Sequence, residues 1–297
     1  MNFPASGGSD STMKRWILFL AVALAGLVTL GCSSLDEQQR AWIFQPSDRA
    51  WGGSAALAQD MDEVWIDFSS NVTQAPARLH GLWLAADGPR TEQAPVLLYL
   101  HGARWNVAGS APRMRRMQEL GFSVLAIDYR GFGKSTAGLP SEASAGEDAR
   151  AAWDWLAAKY PDRPRYIFGH SLGGAIAIDL AAQVQDERGT IVEGTFSSIP
   201  DLAETMKWGW MHGSWLPGAL ITQRFESVAK VAKINSPLLV VHGDNDNLIA
   251  SALGRKLYDA AQGPKQFLLV QGGSHFSTMS MGQAQYRQAL AQLFHLR

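Results

Sequence analysis

From residue 96 onward the chain alternates short, uninterrupted apolar runs with amphipathic stretches, and this alternation restricts the fold more than any other feature. The runs "PVLLYLHG" and "FSVLAIDYRG" read as strands buried on both faces, and "RYIFG", "TIVEGTF", "PLLVVHG" and "FLLVQGG" as further strands. Between them lie helical segments such as "APRMRRMQELG", "LGGAIAIDLAAQV", "SALGRKLYDAA" and "QAQYRQALAQLFHL". A further helix is expected to open on a capping box of Ser144 and Glu147, with Ala149, Ala152, Trp153, Leu156 and Tyr160 at helical spacing. In the last helix Tyr286, Leu290, Leu293 and Phe294 share one face. Upstream, "EVWIDF" and "ARLHGLWLAA" alternate polar and apolar residues and read as an antiparallel opening pair. The pattern predicts an α/β domain with a mainly parallel sheet of about eight strands, helices on both faces and right-handed crossovers. Residues 200–234 separate two strands by about twice a usual crossover and are expected to form a small cap over the carboxyl ends of the strands, where open α/β sheets bind ligands.

Within this frame Gly169-His170-Ser171-Leu172-Gly173 reads G-x-S-x-G at a strand-to-helix junction. Such an elbow holds a serine on a tight, strained turn, where a Cβ on either flanking glycine would clash. The following helix aims its first amides and the positive end of its dipole at the reacting oxygen. A serine hydroxyl needs a base, and the order expected in this architecture is Ser, acid, His. "VVHGDNDNLI" and "QGGSHFS" both follow strands, and supply Asp246 as acid and His275 as base, with Asp244 and Glu193 as competing acids. His295 lies in the last helix and is expected to be structural. His101 and His242, each before a glycine at a strand end, are expected to bond local backbone, and His170 to pack against or position its neighbours. "DYRGFGKS" lacks the G-x-x-x-x-G-K-[ST] spacing of a phosphate loop. Its Asp128 and Arg130 are expected to lock the loop that supports the elbow. The cap residues Trp208, Trp210 and Trp215 suit an acyl-binding wall or plain core packing.

Taken in order, "LYLHG", "DYRGFGKS", "GHSLGG", "VVHGDND" and "GGSHF" make the chain resemble the α/β-hydrolase superfamily from about residue 78 to its end. The resemblance is nearest to bacterial serine hydrolases that share a small cap with the mammalian ABHD-type esterases and acyl-thioesterases. It implies Ser171, His275 and Asp246 as the triad, and the amides of Ala103 and Leu172 as oxyanion donors. It implies a carboxylic-ester or acyl-thioester substrate and no metal or organic cofactor. Where the family often has Asn-Ala or Gly-Gly after the first H-G, this chain has Ala-Arg-Trp, which makes Arg104 unusual and a candidate substrate contact along with His170. A peptidase is the alternative, with Glu204 and Glu226 in the cap as the candidates to hold a substrate amino group. A third reading is a non-catalytic envelope protein that keeps the fold for binding.

The N-terminus carries a separate signal. Lys14 and Arg15 precede a 15-residue uncharged run from Trp16 to Leu30, short for a spanning helix of about 20 residues and suited to a signal peptide. It ends "LVTLGCSS", which resembles a bacterial lipoprotein signal, although Thr29 stands where that family prefers Leu. Cys32 is the chain's one cysteine, so no intrachain disulfide forms, and its place suits lipidation. The expected organisation is a signal peptide at 1–31, a tether with a packing element at 32–60, and the hydrolase domain at 61–297. Met13 is a second candidate start. The expected location is the periplasmic side of the cell envelope, with Ser33 resembling outer-membrane sorting. A formal net charge of −1 gives no sign of a nucleic-acid partner.

Overall fold

The computed structural model describes residues 34–88, 91–205 and 220–296. Eight strands form one sheet: β1 (Asp62–Ser70), β2 (Ala75–Leu84), β3 (Val96–Leu100), β4 (Ser123–Ile127), β5 (Arg165–His170), β6 (Glu187–Glu193), β7 (Leu238–Gly243) and β8 (Lys265–Val270). Their order is β1-β2-β4-β3-β5-β6-β7-β8. β1–β2 and β2–β4 are antiparallel, and every other pair is parallel. The strand order reverses direction at β3, between β4 and β5, the kind of switch point outside which ligands bind.

Burial on both sides explains the unbroken apolar runs of β3 to β7, whereas β8, at the edge of the sheet, is half-exposed with Val270 alone fully buried. In β3, Val96, Leu98 and Leu100 pack on one face, against α4 (Glu142–Lys159) and α5 (Leu172–Ala181). Leu97 and Tyr99 turn to the other, against α3 (Ala111–Glu119) and α10 (Gln283–Leu293). α8 (Ser251–Ala260) shares the first face through Leu253 and Leu257. After the short α9 (Thr278–Met281), Tyr286, Leu290 and Phe294 of the last helical segment are buried together. α3 ends where Gly121 takes a φ of 97°, a left-handed stop that costs glycine little.

α4 starts earlier than its sequence suggests. Ser141 is the N-cap, its hydroxyl accepting from the Ser144 amide at 3.1 Å while Ser144 Oγ accepts from the Ser141 amide at 2.8 Å. Glu147 is therefore no capping residue. It accepts from Arg130 Nη2 at 2.6 Å and from Ser70 Oγ at 2.6 Å, helping to neutralise a buried guanidinium that also donates to Asp148 at 2.6 Å. Asp128 braces the neighbouring loop, accepting from the Val107 amide at 2.6 Å.

Residues 34–44 form a helix, α1, and Ser54–Leu57 a short second one, α2, so part of the segment expected to tether is built into the domain. Its end buries Ile43 and Phe44, and the Phe44 ring lies 6.0 Å from that of Phe225. Gln39 Nε2 donates to the Leu220 carbonyl at 2.9 Å. Of the expected cap, α6 (Ile199–Thr205) and α7 (Ser227–Val231) are helical. Trp208, Trp210 and Trp215 lie outside the described residues, as do the leader and Cys32.

Candidate active site

Ser171 stands between β5 and α5 with φ 57° and ψ −124°, a left-handed backbone that few non-glycine residues adopt. The flanking glycines show why the turn is built this way. A Cβ on Gly169 would sit 2.2 Å from the Gly173 carbonyl oxygen, and one on Gly173 would sit 2.1 Å from that of Leu100. Gly174 is nearly as crowded, a Cβ there standing 2.5 Å from the Thr195 Cβ. The Ser171 amide donates to the Glu193 carbonyl at 2.9 Å, which fixes the turn to β6. Gly173→Ala is therefore expected to destabilise the protein by about 3 kcal/mol through a clash against backbone that has no room to yield. Thermal unfolding of the variant reads this as a lowered Tm.

The acid and the histidine meet at the ends of β7 and β8. His275 Nδ1 lies 2.8 Å from Asp246 Oδ2. The other carboxylate oxygen, Oδ1, accepts from the amides of Leu248 and Ile249, each at 2.9 Å. Burial works to raise the Asp246 pKa, but hydrogen bonds from His242 and His275, the positive field of His275 and the Ile249 amide outweigh it and hold the carboxyl well below the usual range. Asp246 is thus ionised and its side chain is 1% exposed. Gly194, at φ 57°, lets β6 turn beside the pair, since a Cβ there would already lie 3.4 Å from both Asp246 Oδ2 and His275 Nδ1. The competing carboxylates are engaged elsewhere. Asp244 accepts from the Gly272 amide at 2.6 Å, and the fully buried Glu193 accepts from Arg113 Nε at 3.2 Å and from the Tyr286 hydroxyl.

With Nδ1 committed to Asp246, Nε2 of His275 is the nitrogen left for chemistry. His275, Ser171, Ala103 and Leu172 line one cavity of about 340 Å³. Its apolar walls include Trp42, Trp51, Phe196, Ile199 and Leu202. Among the described residues neither the Ala103 amide nor the Leu172 amide donates to a protein acceptor, so both remain available to a ligand oxygen. A Cβ on Gly102 would approach the Ser171 Cβ to 3.0 Å, which shows how closely the Ala103 loop runs past the serine.

His101 and His242 bond local backbone as expected, whereas His295 lies exposed beyond the end of α10 and not within it. His101 Nδ1 lies 2.6 Å from the Gly102 carbonyl, and His242 Nε2 lies 2.9 Å from that of Ile249. His170 Nε2 is 3.0 Å from the His275 carbonyl, so it supports the histidine loop from beneath. Burial and then the positive charge of Arg113 hold His170 well below the ordinary imidazole range, leaving it neutral. Two contributors carry no signal in the sequence. Arg113 reaches from α3 to Glu193, to His170 Nε2 at 3.0 Å and to the His275 carbonyl at 3.2 Å. It is one of three arginines in "RMRR", and only the fold separates it from the others. The second is the end of α1 with the irregular segment after it, where the Phe44 and Arg49 carbonyls accept from the amides of Arg104 and Asn106 at 3.0 and 2.9 Å and so pin the loop that carries Ala103.

An eight-stranded, mainly parallel sheet with a strained serine elbow and a His–Asp pair at its carboxyl edge defines a serine hydrolase of the α/β-hydrolase type. The comparisons agree, and the chain belongs to the α/β-hydrolase superfamily. The family model described as serine aminopeptidase, S33, matches residues 91–228. An uncharacterized Mycobacterium tuberculosis protein, MT2364, is 30% identical over 270 residues, 89% of this chain and 90% of that protein. The lysophosphatidylserine lipase ABHD12 of Danio rerio is 33% identical over 205 residues, 61% of this chain and 53% of the lipase, so the match spans about half of that protein. Among solved structures, the Pyrococcus furiosus esterase Pf2001 shares the fold at a TM-score of 0.65 and 17% identity, over 84% of this chain and 97% of the esterase. A puromycin-hydrolyzing peptidase of Mycobacterium tuberculosis shares it at a TM-score of 0.59 and 17% identity, over 81% of this chain and 40% of the peptidase.

Proposed function

We propose that the protein hydrolyses carboxylic esters or acyl thioesters through Ser171, His275 and Asp246. The observation that carries this reading is the 2.8 Å His275–Asp246 contact opening onto the same apolar cavity as the strained Ser171. Ser171 Oγ attacks the acyl carbonyl while His275 Nε2 takes its proton. The resulting oxyanion is met by the amides of Ala103 and Leu172, each worth on the order of 3 kcal/mol to the transition state. His275 returns the proton to the leaving alcohol or thiol. Water, deprotonated by the same nitrogen, then releases the acid from the acyl-enzyme.

The family model's description favours an aminopeptidase as the second reading. An aminopeptidase needs an anionic group for the substrate ammonium, yet no Asp or Glu lines the cavity among the described residues. Its walls suit an acyl chain better. A series of p-nitrophenyl acyl esters set against aminoacyl-anilides separates the two. Turnover of the esters with little or none of the anilides is expected, and the reverse preference overturns the ester reading. The same reading places the enzyme in the bacterial envelope with a lipid on Cys32, supported by the basic, apolar and small-residue order of residues 14–32. Globomycin-sensitive processing and loss of membrane association in Cys32→Ser test that address.

A further inference from the structure

Among the described residues, Arg104 is a charged residue of the cavity lining that contacts neither the triad nor the oxyanion donors through its side chain. Its backbone is strained, with φ at 85°, and it directly follows the Ala103 donor. Strain of this kind persists where surrounding structure enforces it. Here the enforcing contacts are its own amide on the Phe44 carbonyl at 3.0 Å and its Nε on Gln45 Oε1 at 3.0 Å. That bond uses Nε and leaves both terminal nitrogens of the fork without an acceptor among the described residues. The side chain is exposed and lines the cavity.

Charge in the cavity is one-sided. Its lining carries two arginines, Arg104 and Arg113, and no carboxylate among the described residues. Arg113 is paired with buried Glu193 at 3.2 Å, whereas Arg104 has no Asp or Glu within salt-bridge distance among the described residues. Arg104 is thus a cation oriented by Gln45 and held open next to the Ala103 amide, with a planar fork that suits bidentate oxyanions.

We propose that Arg104 selects esters whose alcohol portion carries an anionic group, phosphate or carboxylate, a few bonds from the scissile carbonyl. The acyl chain takes the apolar walls, and the anion meets the guanidinium at the open mouth. The proposal rests on the ester reading above and names its substrate class.

The test is kcat/KM for three esters of one acyl chain: an uncharged alcohol, a phosphate-bearing alcohol and a carboxylate-bearing alcohol. Wild type is expected to favour the anionic esters by about 10-fold, the usual scale for a hydrogen bond to a charged group, and the preference should shrink as salt screens the exposed cation. Arg104→Gln is expected to bring the ratio near unity, Arg104→Glu to invert it, and Arg104→Lys to keep part of it. The larger of the two anionic ratios identifies the group. A ratio unchanged in Arg104→Gln, or an equal fall for all three esters, overturns the proposal and leaves Arg104 as a loop clip. A wild type that hydrolyses the esters without preference overturns it and spares the hydrolase reading. One that hydrolyses none of them overturns both.

Discussion

Ser171→Ala is expected to lower kcat for any acyl ester by about 10⁶-fold, the scale on which a comparable triad loses activity without its nucleophile. It is also expected to leave the fold intact. The substitution removes one hydroxyl from the wall of the cavity and no backbone bond, because the amide of residue 171 still donates to the Glu193 carbonyl. Alanine tolerates the φ of 57° about as well as serine does, and the turn is imposed from outside, by the close approach of Gly169 to Gly173 and of Gly173 to β3. Rate and stability therefore separate in this variant. A fluorophosphonate probe should label wild type and not Ser171→Ala, while the two proteins melt at similar temperatures. Equal labelling would place the nucleophile elsewhere, and absent labelling of wild type would favour the non-catalytic reading. The turnover that survives in the variant measures what the Ala103 and Leu172 amides and the cavity do without a nucleophile.

The sequence discloses most of this site because its parts are tied to strand ends. Ser171 and Asp246 each follow a run buried on both faces, and His275 follows the apolar edge strand β8; such apolar runs are the most legible elements in an α/β chain. The glycines of the elbow are legible for a related reason, since the spacing reports a place where a Cβ has no room. Three features escape. The start of α4 is misplaced because Glu147 satisfies the capping pattern locally while a buried Arg130, distant in sequence, claims it. Arg113 is hidden among similar arginines, and its role arises only when α3 packs over Glu193 and the histidine loop. The segment after α1 has no sustained period, because the carbonyls of Phe44, at the end of α1, and of Arg49 bond to the loop around Ala103 rather than to a neighbouring element of regular structure. In each case the missing information is a long-range pairing of charges or backbone groups, which local pattern does not encode.

Asp246→Asn is the sharper test of the proposed triad, with an expected fall in kcat on the order of 10⁴. The argument turns on which way the amide faces. Asp246 Oδ1 accepts from the Leu248 and Ile249 amides, so an asparagine here keeps its carbonyl oxygen on those two donors. Its NH₂ is then forced toward His275 Nδ1, the atom that Asp246 Oδ2 now meets at 2.8 Å. A donor facing Nδ1 requires the imidazole to carry its proton on Nε2, the nitrogen that must be free to take the proton of Ser171. The base is blocked without being removed. The imidazolium formed during attack also loses the carboxylate that stabilises it. Stability should follow a separate course. Because the native carboxyl sits below its ordinary pKa of 3.8, ionised Asp246 stabilises the fold fully above that pH, and the contribution is lost as pH falls through the lowered native value. The Tm difference between wild type and Asp246→Asn should accordingly be largest near neutrality and narrow in strong acid. A variant with near wild-type kcat would move the acid to Asp244 or Glu193. Each would first have to give up its present partners, the Gly272 amide for one and Arg113 with Tyr286 for the other.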